Sequence, residues 1–116
     1  MISGIGIDIV DVAKVANSIQ EYGNRYLQKL FTLQEIEYCN AAPIKAQRYA
    51  ARIAAKEAAM KALGTGLDGW SWKELRYVNG RLWAVGALAG LLASRDIQVL
   101  HGSVSHDGDL ALAVVI

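Results

Sequence analysis

A single glutamate lies on the apolar side of a predicted long helix. Residues 54–66 read AAKEAAMKALGTG, and at 100° per residue Glu57 falls among alanine, isoleucine and methionine side chains. A carboxylate is rarely buried unless it is paired or holds a cation. Two explanations are open: an intrahelical ion pair with Lys61, four residues later, or a role in chemistry.

Asp8 is a second carboxylate in an apolar setting, inside the predicted first strand ISGIGIDIV at 2–10. It shares a strand face with Gly4 and Gly6, and glycines let another backbone or a ligand approach closely. Two carboxylates suit a hard cation, and Mg²⁺ commonly takes one or two of them together with substrate phosphates. The sequence alone does not show that Asp8 and Glu57 meet, and a turn or cap contact is the alternative for Asp8.

Basic residues follow one another at helical spacing on another side of the same helix, at Arg48, Arg52 and Lys56. Such a stripe is either a solvated face or a surface that binds phosphate. The helix is predicted to end at Gly64, whose first role is a left-handed cap. Gly64 and Thr65 could secondarily bring main-chain amides to an anion.

The segment SVSHD at 103–107 places Ser105 beside His106 at the end of a predicted strand. Adjacent strand residues point to opposite faces, so this spacing excludes a Ser-His-Asp triad. The chain also has no Gly-x-Ser-x-Gly elbow. A surface histidine at a turn is the simple interpretation of His106.

The order of predicted elements indicates an α+β fold, a long helix packed on a small antiparallel sheet. A first strand is predicted at 2–10, and helical segments with a break near Gly23 at 11–29. Thr32 and Glu35 fit a capping box that opens a short helix to about Cys39. The remaining predictions are a long helix from Pro43 to Leu63, strands 72–78 and 81–85, a helix at 86–94, and a hairpin of 97–105 with 109–116. The last strand is apolar on both faces, so we expect the long helix to cover one face and a second subunit the other.

The composition narrows the class of protein. The 116 residues suffice for one domain over 1–116, and the net charge of +1 argues against a nucleic-acid binder that works by bulk electrostatics. Cys39 is the only cysteine, which excludes an intramolecular disulfide and fits a reducing compartment. The first ten residues lack a basic leader, and no apolar run is long enough for a membrane span. We expect a cytoplasmic protein that binds neither nucleic acid nor membrane.

Four segments together carry a resemblance to a known family: GIGIDIV at 4–10, FTLQEIEYC at 31–39, RIAAKEAAMKALGTG at 52–66 and SVSHD at 103–107. In this order they resemble the holo-[acyl-carrier-protein] synthases, the short form of the 4′-phosphopantetheinyl transferase superfamily. The resemblance implies that family's fold and a homotrimer with active sites at its interfaces. It also implies magnesium-dependent transfer of 4′-phosphopantetheine from coenzyme A to a serine of apo-acyl carrier protein, in lipid (fatty acid) biosynthesis. Adenosine 3′,5′-bisphosphate would be the other product.

The resemblance also implies roles for individual residues. Asp8 and Glu57 match the magnesium ligands, and Lys61 matches the lysine beside the transferred group. The general base would be Glu57 or a metal-bound water. The positions that match residues near coenzyme A are Arg52, Lys56, Gly64, Thr65, Ser105 and His106, the last two acting across a subunit boundary.

The chain departs from the family pattern at three places. Ile53 replaces an aromatic residue, which we expect only to repack the core. Gly80-Arg81-Leu82 replaces a longer Gly-Lys-Pro loop, and the first helices hold few basic residues for an acidic carrier protein. The alternatives to an active transferase are a trimeric module that binds coenzyme A or a carrier without transfer, and a magnesium-dependent phosphohydrolase.

Overall fold

The computed structural model describes residues 4–64, 69–78, 80–107 and 110–115, with the backbone alone at 107 and 110–115. The α+β order predicted from the sequence is confirmed. The elements are β1 (Gly6–Asp11), α1 (Val12–Tyr22), α2 (Asn24–Leu30), α3 (Leu33–Asn40), α4 (Lys45–Leu63), a short 3₁₀ helix (Trp72–Glu74), β2 (Leu75–Val78), β3 (Arg81–Ala84), α5 (Gly86–Ser94), β4 (Leu100–Asp107) and β5 (Leu110–Val115). Thr65, Asn79 and Gly108, which figure in the predicted loop and turns, lie outside the described residues.

Three predicted boundaries are wrong. Residues 72–74 are a 3₁₀ turn rather than strand, because Ser71 and Glu74 form a capping box. The long helix begins at Lys45, so Pro43 precedes it instead of occupying its first turn. The strand predicted from residue 97 begins at Leu100, because the amide of Ile97 still donates to the Leu92 carbonyl at the end of α5.

The five strands form one antiparallel sheet in the order β1-β5-β4-β3-β2. The long helix α4 packs across β1, β5 and β4. Small residues make this possible, since α4 buries six alanines that allow close packing on several sides. The helix is therefore surrounded over most of its length. No helix in the described part of the chain is both long and apolar enough to cross a membrane.

Two glycines bring β1 and α4 into backbone contact. A Cβ atom at Gly4 would collide with the carbonyl of Ala62, and one at Gly6 with the carbonyl of Ala58. This confirms the prediction that the glycine face of β1 allows close approach. Because side chains alternate along a strand, Asp8 also faces α4.

The opposite face of β1 is uncovered within one chain. Ile5, Ile7 and Ile9 expose 58%, 53% and 62% of their surface. They form a row on an edge strand of the sheet, which we call the isoleucine row. Single exposed apolar residues need no explanation, but an aligned row on a sheet face is a candidate interaction surface.

Candidate active site

The close contact between β1 and α4 joins Asp8 to Lys61. Asp8 is only 8% exposed. The Lys61 ammonium lies 2.7 Å from Asp8 Oδ1 and donates a second hydrogen bond to the Ile7 carbonyl at 3.1 Å. Hydrogen bonding to Asp8 is the main cause that raises the pKa of Lys61. The lysine therefore stays charged beside the carboxylate.

Glu57 completes this group, one helical turn before Lys61. The structure differs here from the simple intrahelical pair, because the hydrogen bonds of Lys61 go to Asp8 and Ile7. Glu57 is half-buried. Burial, followed by the adjoining carboxyl of Asp8, raises the pKa of Glu57 to about 7, while Lys61 lowers it. The two carboxyls therefore meet in space, which the sequence could not establish.

The carboxyl pair fits a divalent cation. Asp8 Oδ2 is buried and has no hydrogen-bond partner, so one ligand oxygen is available beside Glu57. Within the described residues there is no cluster of three or more histidine, cysteine, aspartate or glutamate side chains that could hold a metal. Proteins usually bind Mg²⁺ through one or two carboxylates, and water and phosphate oxygens fill the remaining coordination positions.

Tyr26 on α2 is a neighbour of this site that sequence reasoning missed. Burial raises its pKa first, and the charge of Glu57 raises it further. Its hydroxyl also forms a hydrogen bond with the side chain of Ser18 on α1. No periodicity in the sequence links α2 to the middle of α4, so only the tertiary packing could have revealed this contact.

Lys56 departs from the expected basic stripe. Its side chain is 1% exposed, so the interpretation as a solvated face is wrong at this position. The ammonium donates to the carbonyls of Leu30 and Trp72 and to Glu35 Oε1, at 2.8, 3.0 and 3.2 Å. These bonds use all of its protons. Lys56 therefore ties α4 to neighbouring segments and has no donor left for coenzyme A.

Arg48 and Arg52 stay together at the surface of the fold. The guanidinium carbons lie 4.3 and 5.1 Å from the centre of the Tyr38 ring, and that of Arg52 lies 4.5 Å from the Tyr77 ring. Together with Val104 and His106 they line a cavity of about 490 Å³. We call this the arginine cavity. Tyr38 was not singled out from the sequence, because no spacing along the chain relates it to α4.

The other predicted coenzyme contacts fall in different places. Ser105 is exposed, and alternation along β4 puts it on the face opposite His106. Gly64 ends α4 in the left-handed conformation, with φ of 68°, which confirms its role as a helix cap. The Arg95 guanidinium donates to the adjacent Leu63 carbonyl. Contact of Gly64 or Ser105 with the coenzyme stays a prediction.

The carboxyl pair and the arginine cavity lie on opposite flanks of α4. Arg48 and Glu57 are nine residues apart, which is a rotation of about 180° and a rise of about 13 Å. The register of the sheet agrees with this separation. Asp8 of β1 pairs with Ala113 of β5, which in turn pairs with Val104 of β4, so a whole strand lies between Asp8 and the cavity residue Val104. The helix, about 10 Å wide, separates the two groups within one chain.

The chain matches a known protein family over almost its whole length. The family model described as the 4′-phosphopantetheinyl transferase superfamily matches residues 4–115. A holo-[acyl-carrier-protein] synthase of Geotalea daltonii is 42% identical over all of this chain and 98% of its own length. The corresponding synthase of Koribacter versatilis is 44% identical over the same shares.

Solved structures show the same fold. The synthase from Neisseria meningitidis has a TM-score of 0.84 at 29% identity, covering 99% of this chain and 97% of its own. The Helicobacter pylori synthase in complex with coenzyme A has a TM-score of 0.82 at 28% identity, covering 97% of each chain. Given the match over almost its whole length and the relatives above 40% identity, this chain belongs to the 4′-phosphopantetheinyl transferase superfamily.

Proposed function

We propose that this chain transfers 4′-phosphopantetheine from coenzyme A to a serine of apo-acyl carrier protein and releases adenosine 3′,5′-bisphosphate. The observation that carries the proposal is the meeting of Asp8, Glu57 and Lys61, with a buried carboxylate oxygen left unpartnered. The names of the relatives and the coenzyme bound in the Helicobacter pylori neighbour support it. We assign the activity to one domain over 1–116, acting in the cytoplasm in lipid (fatty acid) biosynthesis.

In this reaction the serine oxygen attacks the phosphorus that carries the pantetheine arm, and the bond to the second phosphate breaks. Asp8 and Glu57 would hold Mg²⁺, which acts as a Lewis acid and offsets charge on the pyrophosphate. Lys61 has 59% of its side chain exposed, so its ammonium is available to neutralise phosphoryl oxygens. Such sites act mainly by positioning and by charge stabilisation. Glu57 is our candidate to accept the serine proton.

We further infer that the active site forms between copies in a homotrimer. The arginine cavity and the carboxyl pair lie on opposite flanks of α4, so a coenzyme that contacts both must bridge two chains. The isoleucine row supplies an uncovered apolar face on an edge strand, which association would bury. His106 of one copy would then act with Asp8 and Glu57 of another.

The test is transfer to a carrier. The protein is incubated with coenzyme A, Mg²⁺ and apo-acyl carrier protein, and the intact mass of the carrier is measured. We expect the addition of one phosphopantetheine group. Coenzyme A binding without a mass shift would instead indicate a non-catalytic binding module, and turnover of coenzyme A without modified carrier would indicate a phosphohydrolase.

Site variants assign the roles. We expect Asp8→Asn and Glu57→Gln to lose magnesium-dependent transfer by about a hundredfold or more, with an unchanged circular dichroism spectrum. Glu37→Gln is the matched control, because it removes an acidic charge at an exposed position of α3. Retained transfer in either site variant would refute the metal assignment.

A further inference from the structure

The middle of α4 opens to solvent at one point. Every side chain from residue 53 to residue 59 is buried except that of Glu57, which is half-buried. A group that reacts at Glu57 has to enter through this opening, because packed segments close the rest of the stretch. We call the opening the Glu57 window. The side chains at its rim are the ones that an incoming substrate meets.

The two ends of the Glu57 window carry different chemistry. Lys61 lies one turn after Glu57, and 59% of its side chain is exposed. At the other end, Tyr26 of α2 packs on a cluster of buried side chains whose α4 members, Ile53 among them, all precede Glu57. The charge of Glu57 raises the pKa of Tyr26, as expected of two groups at one opening. Along the helix axis, Glu57 therefore lies between a phenol and an ammonium.

The turn between α1 and α2 holds Tyr26 in place. Gly23 has a φ of 59°, a left-handed conformation that suits glycine, and its carbonyl accepts from the Tyr26 amide at 3.1 Å. The side chain of Ser18 on α1 forms a hydrogen bond with the Tyr26 hydroxyl. A phenol hydroxyl both donates and accepts, so one bond to Ser18 leaves it able to form another.

We propose that the Tyr26 hydroxyl binds the attacking serine of the carrier protein and orients its oxygen between Glu57 and the phosphorus. The inference rests on the proposed function. In that reaction the serine oxygen forms a bond to phosphorus, the bond from phosphorus to the second phosphate breaks, and the serine proton passes to Glu57. Tyr26 is then a catalytic residue that touches the substrate, and Ser18 is a positioning residue that acts through it.

The geometry of phosphoryl transfer assigns the two ends of the window. The attacking and leaving oxygens lie roughly in line on opposite sides of the phosphorus. Lys61, a point charge, suits the phosphate end, where negative charge leaves. The uncharged phenol of Tyr26 suits the serine end, where a hydroxyl needs a second hydrogen-bond partner while it gives its proton to Glu57.

The experiment separates turnover from binding. Steady-state transfer gives kcat and the KM for the carrier, and calorimetry gives the dissociation constant of coenzyme A in the presence of Mg²⁺. Tyr26→Phe removes one oxygen and keeps the ring. We expect its kcat to fall about tenfold, the size of one hydrogen bond, with both the carrier KM and coenzyme A binding unchanged. Tyr22→Phe is the matched control, because it removes an exposed hydroxyl at the end of α1 and should behave like wild type.

A second variant tests the support of the hydroxyl. Ser18→Ala should lower kcat by less than Tyr26→Phe does, because the phenol remains but is less well oriented. The double variant Ser18→Ala/Tyr26→Phe should be no slower than Tyr26→Phe alone, since Ser18 acts only through Tyr26. Additive losses in the double variant would contradict this coupling.

The proposal is overturned if Tyr26→Phe keeps the wild-type kcat, if it raises only the KM for the carrier, or if Tyr22→Phe has the same effect. Weaker coenzyme A binding by Tyr26→Phe would also overturn it, because the hydroxyl would then serve the other substrate. Failure of the proposed function would look different: the wild-type protein itself would leave the carrier unmodified, and the inference would fall with it.

Discussion

The carboxyl of Glu57 binds a proton more tightly than an ordinary glutamate does, so a cation that binds there must displace that proton. Its pKa is raised to about 7 by burial and by the neighbouring Asp8. Near neutral pH the metal-free carboxyl is therefore partly protonated. In the proposed site a divalent cation would replace that proton. At the scale of single residues, metal binding and proton release would then be one event.

We expect Mg²⁺ to bind more tightly as the pH rises through about 7, because the ionised form of Glu57 is the ligand. Calorimetry in two buffers with different ionisation enthalpies measures both the affinity and the protons released. At pH 6 the binding should release a proton, and well above the pKa it should not. Glu57→Gln should bind weakly with no proton release, and an affinity independent of pH would contradict the assignment.

The sequence allowed Asp8 and Glu57 to be predicted as site residues, because each carboxylate interrupts an apolar pattern. It could not show that they meet, since that depends on Gly4 and Gly6 bringing β1 onto α4. The helical wheel placed Lys61 close to Glu57, but the lysine reaches Asp8, fifty-three positions away in sequence. Contacts within a helix follow from spacing along the chain, whereas contacts between elements require the packed fold.

At the scale of elements, Lys56 joins several segments around α4. Its ammonium bonds to the last residue of α2, to the capping glutamate of α3 and to the 3₁₀ helix before β2. Glu35 also accepts from the amide of Thr32 at the start of α3. The sequence predicted the Thr32–Glu35 capping box and missed Lys56, because its i,i+4 spacing from Arg52 gives no indication of a buried ion pair with another element.

We expect Lys56→Met to lower the free energy of unfolding by about 3–5 kcal/mol, because Glu35 would remain buried without its cation. Urea denaturation followed by fluorescence measures the change. Lys73→Met, at an exposed position, should stay within about 0.5 kcal/mol of wild type. The double variant Glu35→Leu/Lys56→Met should cost less than the sum of the single variants. Additive effects would show that the pair is not coupled.

The contact between β1 and α4 can be tested with two glycines. We expect Gly6→Ala to destabilise the fold by about 2 kcal/mol or more, because its methyl group would collide with the Ala58 carbonyl. Gly90→Ala should instead stabilise it by about 0.5–1 kcal/mol, because Gly90 lies within α5 with open space around its Cβ position. Thermal and urea unfolding give both values. A neutral Gly6→Ala would mean that the two backbones are not in tight contact.

At the scale of the whole molecule, the position of α4 determines where a complete site can form. The helix separates the carboxyl pair from the arginine cavity, and in the proposed assembly each copy would contribute its two halves to different sites. The fold class and element order followed from the sequence, because apolar periodicity and turn residues mark them directly. The separation of the halves did not, because it depends on which side of α4 each strand occupies.

Mixing experiments test whether sites are shared between copies. Asp8→Asn has a defective carboxyl pair, and the double variant Arg52→Ala/His106→Ala has a defective cavity. Each alone should be nearly inactive, and an exchanged equal mixture should recover about one quarter of wild-type transfer, because a site is intact only when each half comes from the right variant. The measurement is the rate of phosphopantetheine transfer to the carrier after mixing.

A matched control uses the isoleucine row. Adding Ile7→Glu to both variants places a charge on the surface that association would bury, so size-exclusion chromatography should show single chains and mixing should restore nothing. No recovery from variants that do assemble and exchange would place the complete site within one chain, and recovery without assembly would contradict the role given to the isoleucine row.

The separation of the two halves by α4 has a consequence for how the protein responds to its own abundance. If copies share sites as proposed, a newly made copy would hold every group that the reaction needs and would still lack a working site until it met others. Near the concentration at which the assembly dissociates, doubling the protein would then more than double the rate. The rate of carrier modification would fall steeply on dilution. In a cell, that rate would therefore depend on the concentration of this protein with a threshold instead of linearly.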